Sequence, residues 1–144
     1  FIPKALTALE IENGASHSEF KLDADGNVRI IEIGSRMGGD CIGSHLVYLS
    51  SGYDFVRMVI ETALGEKPDL TPAHEPMCAG IRFVFTKKDL DVLEEIKSKS
   101  SELLQMVSEM EPVGEHQVVD SGSRFGYYIL AGKNQAEIKD WLER

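Results

Sequence analysis

Two alternating segments joined by a compact turn constrain this chain more than any other feature in it. Ala15 to Leu22 sets Ser18, Phe20 and Leu22 on one side and His17, Glu19 and Lys21 on the other, the period of a half-buried strand. Asp23-Ala24-Asp25-Gly26-Asn27 is a turn signal, and Val28 to Ile33 resumes as a second strand, so residues 15–34 read as a β-hairpin. With Asp25-Gly26 at the centre of a type I′ turn, paired residue numbers sum to 51 along the ladder, and Glu19 falls directly opposite Glu32. Their Cβ atoms would then lie ~4.5–5.5 Å apart, unfavourable for like charges. The same parity sets His17, Gly34 and Arg36 on or near that face and aims Phe20, Leu22, Ile31 and Ile33 at a core. A turn one residue longer would send the glutamates to opposite faces.

A divalent cation between Glu19 and Glu32 resolves the repulsion. Oxygen donors, few in number, suit Mg²⁺ shared with a substrate phosphate better than zinc. A glutamate on each strand can also be a plain solvated face, but Glu32 sits inside Ile30-Ile31-Glu32-Ile33, where a merely solvated carboxylate is less expected. Next comes Ser35-Arg36-Met37-Gly38-Gly39, a guanidinium beside backbone N–H groups freed by two glycines, which suits an anion. Carboxylates for a metal beside an anion-binding loop read as a phosphate-handling site.

The rest of the chain supplies the frame. Ile2, Ala5, Leu6 and Leu9 make a helical stripe, with Asn13-Gly14 as its expected stop. The chain begins at Phe1 with no N-cap residue before that stripe, which reads as a fragment of a longer protein. A short helix is expected over about 43–49 and a longer one from Tyr53 or Asp54 to Gly65, its stripe being Phe55, Val56, Val59, Ile60 and Ala63. Residues 66–76 hold three of the five prolines and read as a linker. Strands are expected at Met77–Phe85, Leu103–Met110 and Phe125–Ala131, with a helix or amphipathic strand at Leu90–Lys97. A last helix starts at Asn134 and turns Ile138, Trp141 and Leu142 inward. The expected fold class is α+β, with a catalytic part at 1–70 and a small, mostly antiparallel subdomain at 71–144.

Charge and composition exclude some functions. A formal charge of −9 disfavours nucleic-acid binding by a broad basic face. No apolar run approaches the ~20 residues a membrane span needs. Cys41 and Cys78 lie far apart with no metal-like spacing, and a reducing cytoplasm is the expected location. His45, His74 and His116 read as surface residues, Arg124 as structural, and Phe83, Phe85, Tyr127, Tyr128 and Trp141 as core.

The stretch GASHSEFKLDADGNVRIIEIGSRMGGD, residues 14–40, resembles the C-terminal signature of ATP-grasp ligases, which runs His-x-Glu, a hairpin turn, Glu-x-Asn-x-Arg and Gly-Gly. Such enzymes use Mg-ATP to activate a carboxylate as an acyl phosphate, which an amine or another nucleophile then attacks. The resemblance implies ATP and Mg²⁺ (or Mn²⁺) as cofactors, with Glu19 and Glu32 as the metal carboxylates. It implies Arg36 as the cation that steadies the acyl phosphate and the oxyanion, and Met37, Gly38 and Gly39 as the loop that meets substrate. Gly34 stands where many members carry an asparagine ligand, which points to the amino-acid-ligase-like and carbamoyl-phosphate-synthase-like branches. Ser35 adjoins the loop, and His17 either orients a phosphate or bonds a backbone carbonyl.

By the same resemblance, the phosphate-covering loop and the lysine-bearing strands lie upstream of Phe1, so these residues alone are expected to be inactive. The expected partners are a small-molecule acid such as an amino acid, its nucleophile and the rest of the parent chain; a homodimer is compatible with the sequence. Two alternatives stay open. One is a bicarbonate-activating relative, and the other a noncatalytic binding or assembly module that keeps only the fold.

Overall fold

The computed structural model describes residues 1–114 and 116–144, which form a mixed α+β fold with two antiparallel sheets. The chain divides into two compact units, Phe1–Tyr48 with Tyr53–Ala73, and Leu49–Gly52 with His74–Arg144.

In the first unit, α1 spans Ile2–Ala8 with a proline in its first turn, where a missing N–H costs no hydrogen bond. It ends before the expected Asn13-Gly14 stop. Ile11 N–H donates to Leu6 O at 3.0 Å and Glu10 N–H to Thr7 O at 3.1 Å, with Glu10 left-handed at φ 57°, so a two-bond cap closes the helix early. Strands β1 (His17–Leu22) and β2 (Val28–Gly34) form the hairpin. After it come a five-residue π-helix, Ile42–Leu46, then α2 (Val47–Ser51), which passes into the second unit at Leu49, and α3 (Phe55–Ala63). Asp54 caps α3 by accepting from Arg57 N–H at 3.0 Å.

The expected inward side of the hairpin is open. Phe20 is 49% exposed, Leu22 64% and Ile31 57%, while Ile33 is half-buried. On α3, Ile60 and Ala63 of the expected stripe are exposed; Phe55, Val56, Met58 and Val59 are half-buried.

The second unit carries the hydrophobic core. Strands β3 (Cys78–Val84), β4 (Leu104–Val107) and β5 (Gly126–Gly132) form a sheet in the order β3-β5-β4. The central strand is buried almost along its length. Tyr128 and Leu130 pack with Val84, with Leu93 and Ile96 of α4 (Lys87–Lys99), and with Ile138 of α5 (Gln135–Glu143). Trp141 and Leu142 add the rest of the expected inner face of α5. The open choice at Leu90–Lys97 resolves to helix because Thr86 and Asp89 form a capping box at its start. Phe85 departs from the expected core. The strand ends at Val84, and Phe85 is exposed and edge-on to Phe83. Arg124 stacks its guanidinium over the Phe83 ring at 3.9 Å and bonds Ser121 O.

A nearly buried ion pair ties strand to helices in this unit. Arg82 Nη2 lies 2.7 Å from Asp89 Oδ1, and Arg82 Nη1 donates to Trp141 O at 2.7 Å. Burial pushes the Asp89 carboxyl up, but Arg82, Thr86 and the N–H groups of Phe85 and Thr86 outweigh it and hold its pKa below the ordinary 3.8. A depressed folded-state pKa gives stability that is present above the unfolded value of ~3.9 and is lost as pH falls through the folded one. Asp89→Asn is expected to cost about 3–5 kcal/mol at pH 7, because it strands the Arg82 charge. It should also flatten the acid limb of stability below pH ~4. Urea unfolding across pH checks both, and a wild-type acid limb in the variant would refute the assignment.

Candidate functional site

The hairpin loop is one residue longer than a two-residue turn. Asp23 N–H donates to Asn27 O at 3.0 Å, and Gly26 takes φ 81°, so Ala24-Asp25-Gly26 form a three-residue loop with its left-handed position at glycine. Asp23 Oδ1 accepts from the N–H groups of Asp25 and Asn27, which fixes the loop. Beside the loop, Leu22 pairs with Val28, Lys21 with Arg29 and Phe20 with Ile30, a sum of 50 rather than the expected 51.

Left alone, that register would separate the two glutamates. A bulge prevents it. The register shifts between Phe20 and Glu19, Ile31 is the extra residue, and Glu19 pairs with Glu32, Ser18 with Ile33 and His17 with Gly34. Glu19 and Glu32 therefore face each other, for a reason different from the expected one.

A histidine and an arginine flank the pair along the ladder. His17 Nδ1 stands 3.9 Å from Glu19 Oε1, and Arg36 Nη2 stands 3.5 Å from Glu32 Oε1. Arg36 reaches Glu32 by turning back from the loop that follows β2. All four side chains except that of His17 are about half exposed. Arg36 Nη1 also donates to Met37 O at 2.9 Å, so the guanidinium is held between a carboxylate and the loop backbone.

The loop after β2 is shaped by close approach. A Cβ at Gly38 would lie 3.0 Å from Ile42 Cβ and 3.2 Å from His17 Cδ2, so a bare Cα lets the loop settle onto the His17 ring. Gly39 has open space around it. Asp40 and Cys41 follow with φ of 48° and 62°, a left-handed pair that turns the chain into the π-helix. There, Leu46 N–H reaches Cys41 O at 2.9 Å and Gly43 N–H reaches Gly38 O at 3.3 Å.

Ser35, Arg36 and Met37 line one wall of a cleft of about 450 Å³. Asn13, Gly14 and Ala15 form its end, and Val59, Thr62 and Ala63 of α3 form the opposite wall. Of the residues expected to form a site, His17, Glu19, Glu32 and Arg36 come together on the hairpin, and Ser35 and Met37 reach the cleft. The α3 wall went unread in the sequence, where Val59 and Ala63 counted only as apolar stripe; the small residues Gly14, Ala15 and Ala63 are the signal for a space there. Among the described residues, no three His, Cys, Asp or Glu side chains gather in a way that could hold a metal by themselves. No described helix is long and apolar enough to cross a membrane.

No family model and no curated protein matches the sequence. Solved structures do match. An L-amino acid ligase from Bacillus licheniformis aligns over 98% of this chain at TM-score 0.74 and 24% identity. A phosphoribosylglycinamide synthetase from Anaerococcus prevotii aligns over 99% at TM-score 0.77 and 19% identity. Both are ATP-grasp ligases. The chain has the fold of part of an ATP-grasp ligase. It spans 38% and 37% of the two matched chains, somewhat over a third of their length.

The exposed pairs predict where stability does not reside. Solvent-exposed ion pairs contribute ~0–1 kcal/mol. Arg36→Ala and Glu32→Gln should each therefore shift unfolding free energy by less than about 1 kcal/mol. A larger loss in urea titration would mark these residues as scaffold.

Proposed function

We propose that this chain supplies the C-terminal portion of an ATP-dependent, Mg²⁺-requiring ligase that activates a small-molecule carboxylate as an acyl phosphate. One observation carries the reading. Glu19 and Glu32 are held opposite each other by a bulge, and Arg36 stands beside Glu32 on a glycine-rich loop.

The carboxylates fit a hard cation. They are oxygen donors on one face, half exposed and only two in number, so the remaining ligands of an octahedral ion would be phosphate oxygens and water. When bound, such an ion supplies charge neutralisation on the phosphates. In the activation step, a carboxylate oxygen of the acid bonds to the γ-phosphorus, the bond to the β-bridging oxygen breaks, and ADP leaves. The nucleophile then attacks the acyl carbon, gives up its proton, and displaces inorganic phosphate.

The chain's own groups have distinct parts in this sequence. Glu19 and Glu32 would hold the cation, whose charge would offset that of the polyphosphate. Arg36 carries five N–H donors, of which one goes to Met37 O, and its charge balances the acyl phosphate and the oxyanion that follows. His17 stands beside Glu19 at 3.9 Å, and its ring lies against the loop at Gly38. An amino acid is the favoured acid, on the Glu-Ile-Gly-Ser-Arg-Met-Gly-Gly form of the loop. The fold likeness to an L-amino acid ligase supports that choice without deciding it.

In the longer polypeptide that contains this chain, Glu32→Gln should lower acid-dependent ADP release by orders of magnitude while thermal unfolding stays near wild type. Wild-type turnover in that variant would sink the metal assignment. For the 144 residues alone, calorimetry should detect weak Mg-ATP binding at most, and micromolar affinity would mean that the nucleotide site has been misplaced.

A further inference from the structure

Gly43 is the buried residue of the π-helix. A Cβ built on it would stand 2.7 Å from Met37 Cβ and 3.3 Å from Met37 Cγ and Sδ. The first of these contacts is with an atom fixed to the backbone, so no rotamer of Met37 relieves it. Met37 in turn lines the cleft, and its carbonyl holds Arg36. A single bare Cα therefore sets how far the Met37 wall stands from the α3 wall.

The lining says what the cleft can receive. Ala15, Met37, Val59 and Ala63 offer apolar surface, Asn13 and Ser35 are polar at the end and beside Arg36, Thr62 has a hydroxyl already donated to Met58 O at 2.8 Å, and Arg36 brings the positive charge. A charged ligand body would lose its hydration against the α3 wall of Val59, Thr62 and Ala63, which offers it no charged partner. An uncharged, apolar body bearing a carboxylate would satisfy both the walls and the guanidinium.

We propose that Gly43 is a specificity-determining position that acts through Met37: it seats Met37 and so sets the width of a cleft that takes the uncharged apolar body of a carboxylate ligand. The identification of that ligand as the activated acid rests on the function proposed above; the seat and the width do not.

The test is an NMR titration of the full chain with 4-methylpentanoate, read at the Val59 methyl groups, with succinate and 5-aminopentanoate as charged-body controls. The Val59 methyls should respond to 4-methylpentanoate and not to the controls. Gly43→Ala should shift the Met37 methyl resonance and weaken 4-methylpentanoate at least tenfold. Because Gly43→Ala touches a buried position, Ala63→Leu provides a second route: it fills the cleft from the exposed end of α3 and should abolish the response. In the longer polypeptide, Gly43→Ala should raise KM for the acid and leave KM for ATP unchanged.

Unresponsive Val59 methyls, equal binding of the charged probes, or unchanged affinity in Gly43→Ala with Ala63→Leu would each overturn the proposal. Probe binding without acid-dependent ADP release from the longer polypeptide would leave the cleft assignment standing and overturn the ligase reading instead.

Discussion

Two carboxylates facing each other across an antiparallel ladder set the terms for the first unit. Like unit charges at 4 Å repel by about 1 kcal/mol in bulk water and by about 4 near a protein surface. The structure around Glu19 and Glu32 answers that repulsion locally. His17 stands beside Glu19, and Arg36 returns from the loop to Glu32. Arg36 can return because the chain turns sharply after Gly34, and the loop can stay there because Gly38 meets His17 and Ile42 without a side chain of its own. The bulge, the loop and the left-handed pair Asp40-Cys41 are thus linked parts of one arrangement.

The two units differ in how they are held together. In the second, apolar side chains from a sheet and two helices close a core, and the Arg82–Asp89 pair ties β3 to the start of α4. In the first, the polar contacts are exposed and the apolar side of the hairpin is open. A two-stranded sheet is marginal by itself. Positions of low local stability are also where loops can adjust to a ligand. The candidate residues sit on that hairpin and its loop, where close approaches at Gly38 and Gly43, rather than a core, set the spacing of their neighbours.

The sequence reading reached the elements and the pairing but not the mechanism of the pairing. Asp25-Gly26 pointed to a two-residue turn. The actual loop has three residues because Asp23 binds the N–H groups of Asp25 and Asn27 and leaves Gly26 to take the left-handed position. The parity error this introduces is cancelled by Ile31, and nothing in an unbroken apolar run marks which isoleucine will bulge. The apolar faces of the hairpin and of α3 were legible as faces, but periodicity does not say whether anything covers them. The helix at Lys87–Lys99 was ambiguous over Leu90–Lys97 because its deciding signal, the Thr86–Asp89 box, lies upstream of that window. Gly43 was invisible for a different reason: its importance is a tertiary contact with Met37, not a backbone dihedral.

The geometry also bears on whether the hairpin is only scaffold. A scaffold hairpin gains nothing from opposed glutamates, and the exposed Arg36–Glu32 pair that offsets their repulsion contributes at most ~1 kcal/mol. Replacing either glutamate by threonine or lysine would satisfy the same ladder with less conflict. Left-handed Asp40 and Cys41 add local strain of order 1–3 kcal/mol each, which a glycine at either position would relieve. Arrangements that are locally unfavourable, mutually supporting and confined to one end of a hairpin are expected where a site needs fixed charge rather than stability. The acidic surface does not oppose that reading. A net charge of −9 repels polyanions over many ångströms, whereas a single phosphate chain would be met at contact distance by the Arg36 guanidinium and any cation held by the two glutamates.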